Sequence, residues 1–100
     1  MNVVSEGETL RISDIVELHA GNSAAFRTAA RQALEAVHRV LDIDLAQTRF
    51  IDSGGLGALI ALHKTMTTRG GRVRLLKPAP QVLQILELTR LHQVLEIVPG

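Results

Sequence analysis

Hydrophobic and polar residues repeat with two different periods along the chain, and these periods predict strands and helices in alternation. Residues 40–45 alternate aliphatic residues with two aspartates, which is the two-residue period of a strand. Apolar residues recur every three to four positions over about 22–37, which predicts a helix with Asn22 as its N-cap and Val37 on its buried face. The other predicted elements are strands over 2–5 and 9–12, a helix ending near Thr68, a strand over 72–76 and a helix that starts at Pro80.

This alternation is typical of the α/β class, in which crossover helices connect parallel strands. The chain has 100 residues, of which 46% are hydrophobic, and this is enough for one packed core. We therefore predict a single α/β domain over residues 1–100. The helix after Pro80 is predicted to bury Val82, Ile85, Leu86 and Thr89.

Composition and charge exclude several classes of function. The net charge of +1 lacks the positive excess of proteins that bind DNA or anionic membranes, and no Trp or Tyr is present to stack on bases. The absence of cysteine excludes a thiolate metal site and a catalytic thiol. Residues 1–10 lack a signal-peptide pattern, and the apolar run 56–62 is far shorter than the roughly 20 residues of a membrane helix. We expect a cytoplasmic protein with no cofactor, no nucleic-acid partner and no membrane insertion.

The segment Asp52–Gly57 carries the main functional signal, because it joins the C-terminal end of a strand to the N-terminus of a helix. Free backbone N–H groups at this terminus favour negative charge, and Asp52 or Ser53 is suited to cap it. The glycines leave the Ser53 hydroxyl open to a partner, and a phosphate there is compatible with the helix dipole. The alternative is that Ser53 is only a helix cap and that the glycines are turn residues.

A stripe of small residues leads from Ser53 along the predicted helix. Gly54, Ala58, Ala61 and Thr65 follow one another at offsets of four, seven and eleven residues, which places them on one helix face. Such a stripe lets another backbone approach closely. That backbone belongs either to the protein's own sheet or to a second protein, and the spacing is compatible with both.

Two charged clusters support weaker hypotheses. If Asp42, Asp44 and Asp52 meet at one edge of the sheet, they are suited to bind magnesium or to act as an acid/base pair. The protein would then be a small metal-dependent phosphotransfer or hydrolytic domain that uses Asp44 and Asp52. The alternative is that these aspartates are solvated or capping. The second cluster is basic and is suited to meet an acidic partner or a phosphate; it consists of Arg69, Arg72, Arg74 and Lys77. The alternative, which we favour, is that Arg72 and Arg74 are only the wet face of their strand. The four histidines lack metal-ligand spacing, and no P-loop, complete G-x-G-x-x-G or G-x-S-x-G motif is present.

Several blocks of the sequence together resemble the STAS domains of bacterial anti-sigma factor antagonists. These blocks are 40–45 (VLDIDL), 50–59 (FIDSGGLGAL), 70–71 (GG) and 86–91 (LELTRL), and the resemblance covers about residues 15–98. It implies a STAS-like fold, with a four- to five-stranded, mixed and mostly parallel sheet and helices packed on one side. In that family the unphosphorylated domain binds an anti-sigma serine kinase of the GHKL type and frees the sigma factor, and phosphorylation by the kinase ends the complex.

The resemblance implies a protein-binding module without catalytic residues of its own, and it places partner contacts on the strand–helix junction. The residues of this predicted contact surface are Asp52, Ser53, Gly54, Gly55, Leu56, Gly57, Ala58 and Ala61.

The chain departs from the family pattern at Gly54, where the family usually has the serine or threonine that accepts the phosphate. Either Ser53 is the acceptor instead, or the domain binds its partner without this switch. A glycine here is also similar to stand-alone STAS subunits that regulate bacterial lipid-transport ATPases of the ABC type, which is the alternative function. The segment Val16–His19 departs as well, since the family often has Gly-Glu-Leu-Asp there.

Overall fold

Five strands form the main sheet of the structure, a computed structural model that describes all residues 1–100. The strand order is β1 (Asn2–Glu6), β2 (Thr9–Ser13), β4 (Val40–Asp44), β6 (Arg72–Leu76) and β7 (Glu96–Val98). β1 pairs antiparallel with β2, and all other neighbours in this sheet are parallel. Two short strands, β3 (Glu17–Leu18) and β5 (Phe50–Ile51), form a separate parallel pair. The predicted α/β class with a mixed, mostly parallel sheet is confirmed.

Three helices connect these strands: α1 (Ser23–Ala33), α2 (Ser53–Thr68) and α3 (Pro80–Leu88), and a 3-10 turn follows over Leu91–Gln93. α2 ends where Gly70 takes a left-handed conformation (φ 76°), as the glycine pair predicts. α3 begins on Pro80, whose fixed φ and missing N–H suit the first helical position. None of the helices has the length and apolar character that crossing a membrane requires.

The core lies on one side of the main sheet. Alternate residues of β2, β4 and β6 are buried with the inner faces of α1, α2 and α3 in one cluster of 20 residues. The residues between them, such as Arg11, Asp42 and Arg74, lie on the opposite face and are in register across three neighbouring strands. The helices therefore cover one face of the sheet, as the resemblance implies.

The opposite sheet face holds an ion pair that corrects one expectation. Asp42, considered above as a solvated carboxylate, is 1% exposed, and its two oxygens accept hydrogen bonds from Arg74 at 2.7 and 2.8 Å. Arg74 lies on the face opposite the core, as predicted, and its side chain is 30% exposed because it is bound to Asp42. The hydrogen bond to Asp42 raises the pKa of Arg74. The carboxylate is buried because one guanidinium binds both of its oxygens from the adjacent strand; Arg72 is exposed as predicted.

α1 is shorter than predicted, because Leu34 already takes an extended conformation (ψ 128°). The turn that follows is held by His38, which is fully buried. Its Nδ1 accepts a hydrogen bond from the Glu35 N–H at 2.9 Å, and its Nε2 lies 2.8 Å from the Ser5 hydroxyl in β1. The prediction that Val37 lies on the buried helix face is wrong, since this residue is 54% exposed and lies in the turn.

Two polar side chains also differ from prediction. Asn22 is at the N-cap position of α1, but its Oδ1 accepts from the His19 N–H at 2.8 Å and makes no bond to the helix. Thr89, predicted to be buried, is exposed, and its hydroxyl donates to the Ile85 carbonyl at 2.8 Å. Both side chains bond nearby backbone groups, which short polar side chains do readily at helix ends.

Candidate functional site

The junction between β5 and α2 is built around Asp52. This residue has an extended conformation at the N-cap of α2 (φ −121°, ψ −171°), and its Oδ1 accepts a hydrogen bond from the Gly55 N–H at 3.0 Å. Its Oδ2 accepts from the Ala20 N–H at 3.2 Å. One carboxylate thus caps the helix and binds it to the segment after β3, residues 19–22, which connects β3 to α1.

These hydrogen bonds favour the ionised form of the Asp52 carboxyl group. The hydrogen bond from the Gly55 backbone is the main cause that lowers the pKa of Asp52 below its ordinary value of 3.8, and the Ala20 and Gly54 backbones contribute in the same direction. A carboxylate at a helix N-terminus is also favoured by the helix dipole. The junction therefore presents a negative charge at neutral pH.

Ser53 is the first residue of α2 and is exposed. Because Asp52 makes the side-chain cap, the interpretation of Ser53 as the helix cap is wrong, and its hydroxyl is not needed to stabilise the helix end. The N–H groups of the first helical turn favour an anionic group at this place. The Ser53 side chain is therefore exposed and is not engaged in capping the helix.

The glycines that follow Ser53 are explained by close approach at two of three positions. A Cβ on Gly54 would lie 2.6 Å from the Ala20 Cα, and a Cβ on Gly55 would overlap the carbonyl oxygen of Leu18. A Cβ on Gly57 would meet no atom within 4 Å outside its own stretch of α2. The segment after β3 thus packs directly on the start of α2, and the helix surface is open at Gly57.

The predicted contact surface divides into an exposed and a buried part. Ala58 is only 2% exposed, and α1 packs against α2, so the protein's own chain covers the stripe of small residues at this point. The internal interpretation is therefore correct for Ala58. Of the predicted contact residues, Gly55, Leu56 and Ala58 are buried, Asp52, Gly54 and Ala61 are half-buried, and Ser53 and Gly57 are exposed.

Two rings that sequence reasoning missed border the junction. Phe50 is 51% exposed, and its ring centroid lies 6.2 Å from that of His19 in a tilted arrangement. The Nε2 of His19 lies 3.2 Å from a carboxylate oxygen of Glu17. The outward direction of Phe50 was predictable, because it precedes the buried Ile51 in a strand. His19 had no comparable signal, since its position depends on the pairing of β3 with β5.

The three aspartates considered for a metal site do not come together. Asp42 is bound to Arg74, the Oδ1 of Asp44 accepts from the Ala46 N–H at 2.9 Å, and Asp52 caps α2. No group of three or more His, Asp or Glu side chains in the structure is arranged to hold a metal ion. The three aspartates therefore do not form one metal site, and each carboxylate accepts hydrogen bonds from other groups instead.

Comparison with solved structures shows that this fold is shared. TM1081 of Thermotoga maritima, assigned as an anti-sigma factor antagonist, matches with a TM-score of 0.91 at 21% identity, over 99% of this chain and 86% of that chain. The phosphorylated form of SpoIIAA, a cell fate determinant of Bacillus, matches with a TM-score of 0.74 at 19% identity, over 99% of this chain and 91% of that chain. The murine anion transporter Slc26a9 matches with a TM-score of 0.80 at 20% identity, over 97% of this chain but 17% of the transporter.

Sequence comparison identifies the family. No curated protein matches the chain by sequence. A family profile described as the STAS domain, however, matches residues 3–99. Since this match spans nearly the whole chain, the protein belongs to the STAS domain family.

Proposed function

We propose that this STAS domain is a regulatory protein-binding module, an anti-sigma factor antagonist, and that it is not an enzyme. The observation that carries the proposal is the exposed Ser53 beside the negatively charged Asp52 at the start of α2. The structural similarity to TM1081 and SpoIIAA supports it, since both are named as regulators of this kind. The proposed partner is an anti-sigma factor with a GHKL-type serine kinase domain.

The proposed partner surface consists of those predicted contact residues that keep accessible area. Gly57 contributes bare backbone, because no atom outside its own stretch of α2 lies within 4 Å of the place of its missing Cβ, and a partner can approach it closely. The buried residues of the set support this surface from below. The residues with accessible area are Asp52, Ser53, Gly54, Gly57 and Ala61.

Ser53 is the position at which we propose phosphorylation. Transfer of the γ-phosphoryl group from ATP to the Ser53 Oγ releases ADP and the hydroxyl proton, and it adds about −1.5 to −2 charges. The helix dipole favours such a charge by about 0.3–1 kcal/mol, whereas the neighbouring Asp52 carboxylate opposes it. A partner that docks on the neutral hydroxyl is repelled by the phosphate, and the modification would therefore end the complex.

Gly54 favours a second candidate function, the regulation of an ABC-type lipid-transport ATPase without a phosphorylation switch. The Ala20 backbone occupies the space that a side chain at position 54 would need. The acceptor hydroxyl that the family usually has is therefore not accommodated at this position. In this case the same exposed surface would bind the ATPase whether or not a kinase is present.

Incubation with the candidate anti-sigma kinase and ATP, followed by intact-mass spectrometry, tests the first function. We expect a mass gain of about 80 Da, one phosphoryl group, that the Ser53→Ala variant abolishes. A stable complex that stays unmodified supports binding without a switch. Co-purification of an ABC-type ATPase from native cells supports the second function, and the absence of any complex contradicts both.

Ser53→Asp, with Ser53→Asn as its control of equal size, tests the proposed surface. The added carboxylate should weaken partner binding by about tenfold or more, because it places a charge at the centre of the contact. The neutral asparagine should leave binding within about threefold of the wild type. Both variants should remain as stable as the wild type to within about 1 kcal/mol. Equal binding by both variants would mean that the partner contacts another surface.

A further inference from the structure

β1 is an edge strand whose free side is unprotected. It pairs only with β2, and all five of its residues are exposed, with Val3 and Val4 at 39% each. The backbone N–H and C=O groups on the free side of an edge strand are available to a further strand. β1 can therefore pair with a further strand along five residues.

The opposite edge of the same sheet is blunted, and this contrast makes β1 distinctive. β7 has three residues, Pro99 follows it directly, and Glu96 within it lies 3.9 Å from Arg72 in an ion pair. Short length, proline and charge are the usual devices that keep sheet edges from pairing. β1 contains no lysine, arginine or proline, and its register with β2 runs through all five residues without a bulge. Its one charged residue, Glu6, is at its end.

We propose that β1 pairs antiparallel with β1 of a second copy of this chain, around a two-fold axis at Val4. In this register Val4 lies opposite Val4 of the second copy, Val3 lies opposite Ser5, and Asn2 lies opposite Glu6. No like charges face each other, and each Glu6 carboxylate meets an amide that can donate to it. The five-residue edge is thus complementary to itself, which is the condition for an isologous dimer. The two main sheets join into one of ten strands.

The dimer is expected to be weak. Five residues of edge pairing bury less than the roughly 1,200 Å² of a standard stable interface. Its dissociation constant is therefore expected to be on the order of 0.1 mM or above, so that association depends on concentration. The interface lies on the main sheet, whereas the proposed partner surface lies at the start of α2, and the two proposals are independent.

Sedimentation velocity from about 10 µM to about 1 mM tests the proposal. We expect the wild type to shift from monomer toward dimer across this range. Val4→Lys places two ammonium groups opposite each other at the axis and should weaken association by at least about tenfold. Val37→Lys is the matched control, because Val37 is 54% exposed, lies outside every strand and gives the same change in charge.

A wild type that stays monomeric at every concentration would overturn the proposal, and so would equal weakening by both lysine variants. Amide hydrogen exchange of the wild type gives a second readout that does not depend on the folding of a variant. Protection should increase with concentration at residues 2–6. A dimer whose new protection appears elsewhere would show that another surface forms the contact.

Discussion

Replacing Gly54 by serine tests whether the segment after β3 has taken the space that a side chain at position 54 would occupy. A Cβ there would lie 2.6 Å from the Ala20 Cα, 2.8 Å from its N and 3.0 Å from its Cβ. Two of these atoms belong to the backbone, so a change of rotamer cannot relieve the contact. The segment itself must move by about 1 Å to restore van der Waals separation.

The cost of this movement follows from the bonds that hold Ala20. Its N–H already donates to Asp52 at 3.2 Å, so a further 1 Å takes this pair beyond hydrogen-bond distance. The lost bond is worth about 0.5–1.5 kcal/mol, and overpacking adds about 1–3 kcal/mol. The better helix propensity of serine offsets about 0.5 kcal/mol. We therefore expect Gly54→Ser to lower the free energy of unfolding by about 1–4 kcal/mol, or the Tm by about 5–20 °C.

Urea unfolding followed by circular dichroism measures this difference, and Gly57→Ser is the matched control. The control makes the same substitution in the same helix, where a Cβ meets no atom within 4 Å outside its own stretch of α2. We expect the control to be as stable as the wild type or more stable by about 0.5 kcal/mol. Equal stability of the two serine variants would show that the segment after β3 yields freely, and the reasoning about position 54 would be refuted.

Two further predictions concern charged groups. Because hydrogen bonds lower the pKa of Asp52 below 3.8 in the folded state, the folded protein binds fewer protons, and this stabilisation is lost as the pH falls through the folded-state pKa. Asp52→Asn should therefore flatten the decline of the unfolding free energy below about pH 4, and an unchanged slope in acid titrations would contradict it. Arg74→Met leaves the buried Asp42 carboxylate unpaired and should cost about 1–3 kcal/mol, less than in a closed core because Arg74 is 30% exposed. Asp42→Leu with Arg74→Met should recover most of this loss in urea unfolding, and a double variant no better than the single one would argue against a paired role.

Local patterns in the sequence predicted most elements of the fold. β6 spans 72–76 as predicted, because its alternating residues are bounded by glycine and proline. Proline and glycine also set two helix ends, since α3 begins at Pro80 and α2 ends before Gly70. The end of α1 was missed because it depends on a distant contact. His38 is buried against Ser5, which lies 33 residues earlier in the chain, and no local period carries this information.

The contrast between local pattern and distant contact also applies to the ion pair of Asp42 and Arg74, on the sheet face opposite the core. The alternation in β4 correctly separates Asp42 from the aliphatic residues of the core. Its burial, however, results from Arg74 in the neighbouring strand, 32 residues later. The alternation of apolar and polar residues in a strand predicts which face of the sheet a side chain lies on. Whether that side chain is exposed there depends on its neighbours in the adjacent strands, and these are set by the register between strands.

The two departures from the family pattern, at Gly54 and at Val16–His19, are far apart in sequence but adjacent in space. The second segment contains β3 and leads directly to Ala20, whose backbone fills the place of the missing side chain at position 54. The Asp52 carboxylate fixes this arrangement, since it binds Ala20 with one oxygen and caps α2 with the other. The glycine is therefore part of a packed junction, and restoring a serine requires the segment after β3 to change as well. A hydroxyl at this junction is accommodated without such a change at Ser53, which is exposed.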